Sequence, residues 1–398
     1  MLLTVLAYAM IIIFMYVVMK KKMTPFTALV MIPLIMTIAV ILTGSADFTS
    51  DAKFVAFVGE DGLAKNLTAI GPMIMYGINN TAKTGIMLLF AILFFSIMLD
   101  AGLFDPITEK MIRFAKGDPM KVLMATAIVA AAVSLNGDGT TTTLICCSAF
   151  LPIYKKLNMR IMNLGVLIIL QNTIMNLLPW GGPTARAMSV LSVGPEILGY
   201  LAPGMVLSLL YVICWVAPSM GRKERARLGV VDLTEEEMRK LTDITDPDTL
   251  SIRRPKNFAF NAILTIGLIT WLVAGSFYKA IAMAPLLLFA VGTCIALISA
   301  PGTFFISNDG FYYGILPVLA EAGAEYGFSN MAMALASLMG QAFHLLSPLV
   351  AFIYLLLRLT GLDMGEWQKE AAKYAIIIFI IFVVTIIAMG QMPLYIPQ

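Results

Sequence analysis

Runs of about twenty mostly apolar residues recur along the chain, and a peptide of that kind crosses a bilayer as a helix that satisfies its own backbone hydrogen bonds. They fall near 2–19, 24–43, 85–104, 161–190, 202–219, 258–279, 330–357 and 372–390, and two further apolar stretches, 120–153 and 281–325, are interrupted at their centres. Composition agrees: 60% of the 398 residues are apolar and 13% charged, against about a quarter charged in soluble domains. The sequence predicts an all-α polytopic membrane protein, a multi-pass resident of the plasma membrane. The first run has no basic residues before it and no small-residue cleavage site after it, so it reads as a spanning helix rather than a removed leader.

The basic residues are grouped between the runs. Lys20 to Lys22, then Arg113, Lys116 and Lys121, then Lys155, Lys156 and Arg160, then Arg222, Lys223, Arg225 and Arg227 mark cytoplasmic loops by the positive-inside rule, and the acidic loop around Asp47, Asp51, Glu60 and Asp61 falls outside. A net charge of +3, spread in this way, gives no stripe for nucleic acid. The segment 221–257 is the only extended polar stretch, and it reads as a cytoplasmic linker. Thr234 and Glu237 offer it a capping box.

An enzyme is not expected. The chain has one histidine, His344, and no Ser-His or Cys-His set can be placed beside it. Cys146, Cys147, Cys214 and Cys294 lie in apolar stretches without zinc-ligand spacing and read as packing residues, so no resident cofactor or metal is implied.

The two interrupted stretches carry the functional information. Residues Ser134-Leu135-Asn136-Gly137-Asp138-Gly139-Thr140-Thr141-Thr142-Thr143 split the run 120–153 with glycines and hydroxyls that no lipid-facing helix would carry. With basic flanks on both sides, this reads as a re-entrant hairpin with its tip near the midplane. The run 161–190 carries Asn172 and Asn176 on one face and then breaks at Leu178-Pro179-Trp180-Gly181-Gly182-Pro183-Thr184-Ala185-Arg186. An arginine at membrane depth needs an anionic partner, either a fixed carboxylate or a substrate carboxylate.

The same order returns later. Ser307-Asn308-Asp309-Gly310 matches the first tip inside the hairpin 281–325, and Gly340 to Pro348 interrupts the run 330–357. Glu321 and Glu325 flank the second hairpin with no basic residue nearby, so it opens outside where the first opens inside. Two related units of opposite orientation form an inverted repeat, whose discontinuous segments build a midplane site in secondary transporters. The division is 1–220 for the first repeat, 221–257 for the linker and 258–398 for the second repeat.

At these residues the sequence resembles the citrate-metal complex:proton symporter family, a branch of the ion transporter superfamily. The likeness runs through Leu-Pro-Trp-Gly-Gly-Pro-Thr-Ala-Arg-Ala at 178–187, Thr-Phe-Phe-Ile-Ser-Asn-Asp at 303–309 and Phe-Tyr-Tyr-Gly-Ile-Leu-Pro-Val-Leu-Ala-Glu at 311–321. The resemblance implies proton-driven symport of citrate, or a related di- or tricarboxylate, complexed with Mg2+ or Ca2+. It also implies an elevator-type carrier working as a homodimer in the lipid bilayer. One departure is expected: the second repeat is shortened by about fifty residues around 280–300, counting two absent helices of about twenty residues and their loops.

Within that reading, Arg186 takes a free carboxylate, and Asn136, Thr140, Thr141, Ser307 and Asn308 contact citrate. Gly137, Gly181, Gly182 and Thr184, at the tip and the break, are further substrate-binding candidates. Asp138 and Asp309 are candidate metal or proton-coupling carboxylates, with helix capping as their structural alternative. His344 is a candidate proton carrier, or else a hydrogen-bonded packing residue. The alternatives are a cation/proton antiporter using the two aspartates alone, and a degenerate carrier lacking part of the second repeat.

Overall fold

The computed structural model describes residues 25–42, 70–230, 258–267, 299–300, 303–304, 308–325 and 328–389, with isolated positions between 6 and 23. Every regular element among the described residues is helical. In chain order these are α1 (Pro25–Leu42), α2 (Ile70–Asp100), α3 (Asp105–Ala115) and α4 (Pro119–Val133), which ends in a 3-10 turn, Ser134–Asn136. Then come α5 (Gly139–Lys156), α6 (Ile161–Met175), α7 (Gly182–Leu191) and α8 (Ile197–Tyr211), the last continuing through a π turn (Val212–Val216) into α9 (Ala217–Leu228). The second half shows a π turn (Gly310–Ile315) leading into α10 (Leu316–Glu325), then α11 (Asn330–Met339), α12 (Gln341–His344), α13 (Ala351–Thr360) and α14 (Met364–Ala388).

Among the described residues, Pro119–Asn136, Ile197–Leu228 and Met364–Ala388 are long and apolar enough to cross a membrane. Several expected boundaries shift. The run expected at 85–104 belongs to a helix that begins at Ile70, because the polar residues 79–84 are carried within it without a breaker. The linker expected to open at 221 begins as helix, since Ala217–Leu228 carries Arg222, Lys223, Arg225 and Arg227 on a continuation of α8. The capping box at Thr234 and Glu237 lies outside the described residues. Helix α3 went unread because its apolar face is short and its other face is charged.

Over the stretch 120–153, α4 and α5 are packed together, with the Thr126 and Tyr154 hydroxyls 3.1 Å apart. Ala125, Thr126, Ala127 and Ala130 on α4 are all buried, and small residues let helices approach closely. Helix α9 holds the base of the hairpin. Its Arg225 pairs with Asp118 at 3.4 Å, and Asp118 also caps α4 by accepting from the Met120 N–H.

Helix α6 lies at the centre. Leu164 through Met175 are buried on every side, as expected of a helix apolar all round, and it meets α4, α5, α8, α12, α13 and α14. Gly165 opens it to Trp367 of α14, whose ring carbon lies 3.4 Å from where a Cβ would stand.

Both helix breaks are present, and their backbones agree residue by residue. In the first, Leu177 donates to Ile174 O, Leu178 to Met175 O and Gly181 to Leu178 O. In the second, 169 positions on, Leu346 donates to Phe343 O, Ser347 to His344 O and Val350 to Ser347 O. The equivalent carbonyls of Leu177 and Leu346 each accept from a distant side chain, the Thr184 hydroxyl at 2.9 Å and the Gln368 amide at 2.7 Å. Contacts between the halves are crossed. Helix α5, after the first tip, packs on α13, after the second break, and α7, after the first break, packs on α10 and its π turn.

Candidate substrate site

The first tip is shaped by its own polar residues. Gly137 has φ +76°, a conformation that a side chain resists, and its Cα faces the first break so closely that a Cβ would lie 3.3 Å from the Trp180 ring and 3.5 Å from Gly181 Cα. The Asn136 carboxamide oxygen accepts from the Asp138 N–H at 2.7 Å, closing the turn. Asp138 then spends both carboxylate oxygens on α5. Oδ1 accepts from the Thr140 N–H at 3.3 Å, and Oδ2 from the Thr141 N–H at 2.7 Å and the Thr141 hydroxyl at 2.5 Å. Of the two roles open to Asp138 in the sequence, its bonds are those of a helix cap.

Each break is tied to residues that precede its own half's tip in sequence. Trp180 Nε1 donates to Leu135 O at 2.8 Å. In the second half, His344 Nδ1 donates to Thr303 O and the Ser347 hydroxyl to Phe304 O, both at 2.5 Å. His344 is buried, so this bond fixes its ring and leaves Nε2 as the nitrogen open to a proton. Gly181 starts α7 where the chain folds tightly over Asn176 O, leaving no space for a Cβ.

Arg186 lies one turn into α7, and its guanidinium folds back over the first turn, with Nη1 2.7 Å from where a Gly182 Cβ would stand. Its Nε donates to Asp309 Oδ1 at 2.6 Å, forming an ion pair that joins the first break to the second tip across 123 residues. The two side chains keep 29% and 41% of their surface, so the pair is reachable from outside the core. Among the described residues, the two Nη groups and Asp309 Oδ2 take no hydrogen bond. In contrast with Asp138, Asp309 does not cap the turn that follows it.

Beside the pair, Asn308 Oδ1 accepts from Gln341 Nε2 at 2.9 Å, and the same nitrogen donates to the Tyr312 hydroxyl at 3.0 Å. The Gln341 carboxamide oxygen is buried without a hydrogen bond among the described residues. Neither Gln341 nor Tyr312 was singled out from the sequence. The available signal was spacing: Gln341 stands seven residues before Pro348, as Asn172 stands seven before Pro179.

The structure thus brings Asn136, Gly137, Asp138, Gly181, Gly182, Arg186, Asn308 and Asp309 into one chain of contacts. Thr140 and Thr141 begin α5 beside the tip, whereas Thr184 is buried and faces the break's own carbonyl. His344 is buried at the end of α12 and is held by Thr303 O. Ser307 lies outside the described residues. A groove of about 340 Å³ along α5, lined by Leu144, Cys147, Leu151 and Leu359, is mostly apolar and separate from this set.

Two helix breaks, two tips and a cross-half ion pair match the sequence strings that carried the family resemblance, and residues 14–292 match the family model described as "Citrate transporter". The chain belongs to the citrate transporter family. It is a transporter and a membrane protein. Three relatives from Bacillus subtilis (strain 168) align over 98% of this chain. They are a protein named "Citrate transporter", 33% identical and covered over 99% of its length, one named "Mg(2+)/citrate complex secondary transporter", 32% identical and covered over 98%, and the "Uncharacterized transporter YraO", 32% identical and covered over 99%. The alignments to the two named carriers run over 452 positions against the 398 residues of this chain, so each carries more than fifty residues that this chain lacks.

Proposed function

We propose that this chain carries citrate complexed with a divalent cation, Mg2+ or Ca2+, into the cell together with protons. The observation that carries this reading is the Arg186–Asp309 pair, which puts an anion-binding and a cation-binding group side by side where a break meets a tip. The relative named for the Mg(2+)/citrate complex supports the cargo. Arg186 takes a free carboxylate, with α7 contributing the positive end of a helix whose N-cap, Gly181, offers no side-chain cap. Asn308, held by Gln341, and Asn136, Thr140 and Thr141 at the first tip contact the remaining citrate oxygens, and Ser307 joins them from the second tip. Asp309 meets the metal, and His344 Nε2 is the candidate proton site.

In this reading the two halves are inverted repeats, 1–220 and 258–398, whose hairpins enter from opposite faces of the plasma membrane. The matching hydrogen bonds of the two breaks and the crossed packing of α5 on α13 and α7 on α10 support that relationship. The block bearing both tips and breaks moves as an elevator in a homodimer. The family match ends at residue 292, which supports placing the shortfall of the second repeat near 280–300.

The deciding experiment is uptake of labelled citrate into proteoliposomes with an inward proton gradient, with Mg2+, Ca2+ or a chelator. Metal-dependent accumulation that collapses with the gradient supports the proposal. No uptake from folded protein with any metal overturns it, and the same vesicles under a Na+ gradient then separate an antiporter from a degenerate carrier.

A further inference from the structure

The two aspartates that correspond in sequence, Asp138 and Asp309, are used differently. Asp138 gives both oxygens to the start of α5, whereas Asp309 gives one oxygen to Arg186 and caps nothing. The bond between Arg186 and Asp309 is single-point, Nε to Oδ1. It leaves Nη1 of the guanidinium over the first turn of α7 and leaves Oδ2 without a hydrogen bond among the described residues. A guanidinium binds a carboxylate best through two parallel N–H groups, and the Nη edge still offers such a fork. A hard divalent cation seeks carboxylate oxygen, which Oδ2 supplies.

Building on the proposed cargo, we infer that the Arg186–Asp309 pair reads the metal–citrate complex as a unit, and that Asp309 is the residue that excludes uncomplexed citrate. A free carboxylate of the complex sits on the Nη edge while the metal ion beside it takes Oδ2 as a protein ligand. Citrate and water fill its remaining positions, in keeping with the lack of any cluster of three metal-binding side chains among the described residues. Citrate without a metal brings its other carboxylates against Asp309 with no cation between them, and a bare cation meets the fixed charge of Arg186. Either half alone meets a repulsive element, which is how a site discriminates beyond what attraction achieves.

The test uses Asp309→Asn in the full-length protein, which keeps an oxygen for Arg186 Nε and removes the charge. Uptake is measured with labelled citrate plus Mg2+ and with labelled citrate plus a chelator. The ratio of the two should fall at least tenfold from wild type, through lost uptake with Mg2+ and uptake in chelator rising above background. An unchanged ratio, in a wild type that transports with Mg2+, overturns this inference alone. Absence of citrate uptake by wild type with any metal overturns the cargo reading and this inference together.

Should Asp309→Asn fail to fold, the wild type supplies the second measurement, thermal stabilisation by Mg2+ alone, by citrate with chelator, and by both together. Stabilisation only by the combination supports the inference. Equal stabilisation by citrate with chelator overturns it.

Discussion

Asn172 and Gln341 occupy the same place in the two helix breaks, each buried and each seven residues before a proline. Gln341 reaches the second tip through Asn308, whereas both amide atoms of Asn172 lack a hydrogen bond among the described residues. Gln341 is the stronger lever on the site because it also holds Tyr312. Gln341→Ala should free Asn308 and lower citrate uptake at least tenfold, whereas Gln341→Glu should keep part of the geometry. Initial-rate uptake against citrate concentration, normalised to folded protein in the membrane, checks this.

Arg186 lies over Gly182. A methyl group there pushes against Nη1, the far end of a flexible side chain, so the helix should survive while the guanidinium shifts. Gly182→Ala should raise the KM for citrate severalfold with little loss of thermal stability. A variant with unchanged KM removes the Nη edge from the binding surface.

Asp138 acts at the first tip as a cap, and a cap contributes about 1 kcal/mol. Asp138→Ala should lower the thermal midpoint of the purified protein and Asp138→Asn should restore most of it, with uptake following the folded fraction. If Asp138→Asn is fully stable yet alters the metal dependence of uptake, the carboxylate has a part in the site beyond capping.

Glu224 is a buried carboxylate at the base of the first hairpin. It accepts from Arg227 Nη2 at 2.6 Å, Asn163 Nδ2 at 3.3 Å and the Arg160 N–H at 3.4 Å, tying α9 to the start of α6. Hydrogen bonds to a charged group are each worth about 1.5–3 kcal/mol, so Glu224→Ala should cost about 2 kcal/mol or more. A thermal-unfolding series in detergent should place this variant among the least stable substitutions outside the core, with its KM for citrate unchanged.

The tips and breaks were legible because glycine, proline and hydroxyl residues inside apolar runs admit few structures. Capping at Asp138 was readable in the sequence only as the alternative to a metal or proton-coupling role. The need of Arg186 for an anion was also readable, but the fixed carboxylate that meets it was not, since Asp309 stands 123 residues away and no local pattern joins them. Gln341 and Tyr312 escaped because a polar residue on an apolar helix reads as filler until its neighbours are known. The boundaries of α2 and α9 were misread because each helix extends through polar residues, good helix formers in α9 but asparagines and threonines in α2 whose low propensity is overridden.

Helix α6 carries a consequence for how the protein is made. Its twelve residues from Leu164 to Met175 are buried on all sides, and the side-chain amides of Gln171 and Asn172 among them have no hydrogen bond among the described residues. A bare pair of amides enters lipid at a cost, so α6 is poorly suited to leave the insertion machinery alone. Its lodging in the membrane therefore depends on α4 and α5, which emerge earlier from the ribosome and stand beside it in the finished fold. The order of synthesis matches that dependence, since the first hairpin is complete before the helix it must shelter.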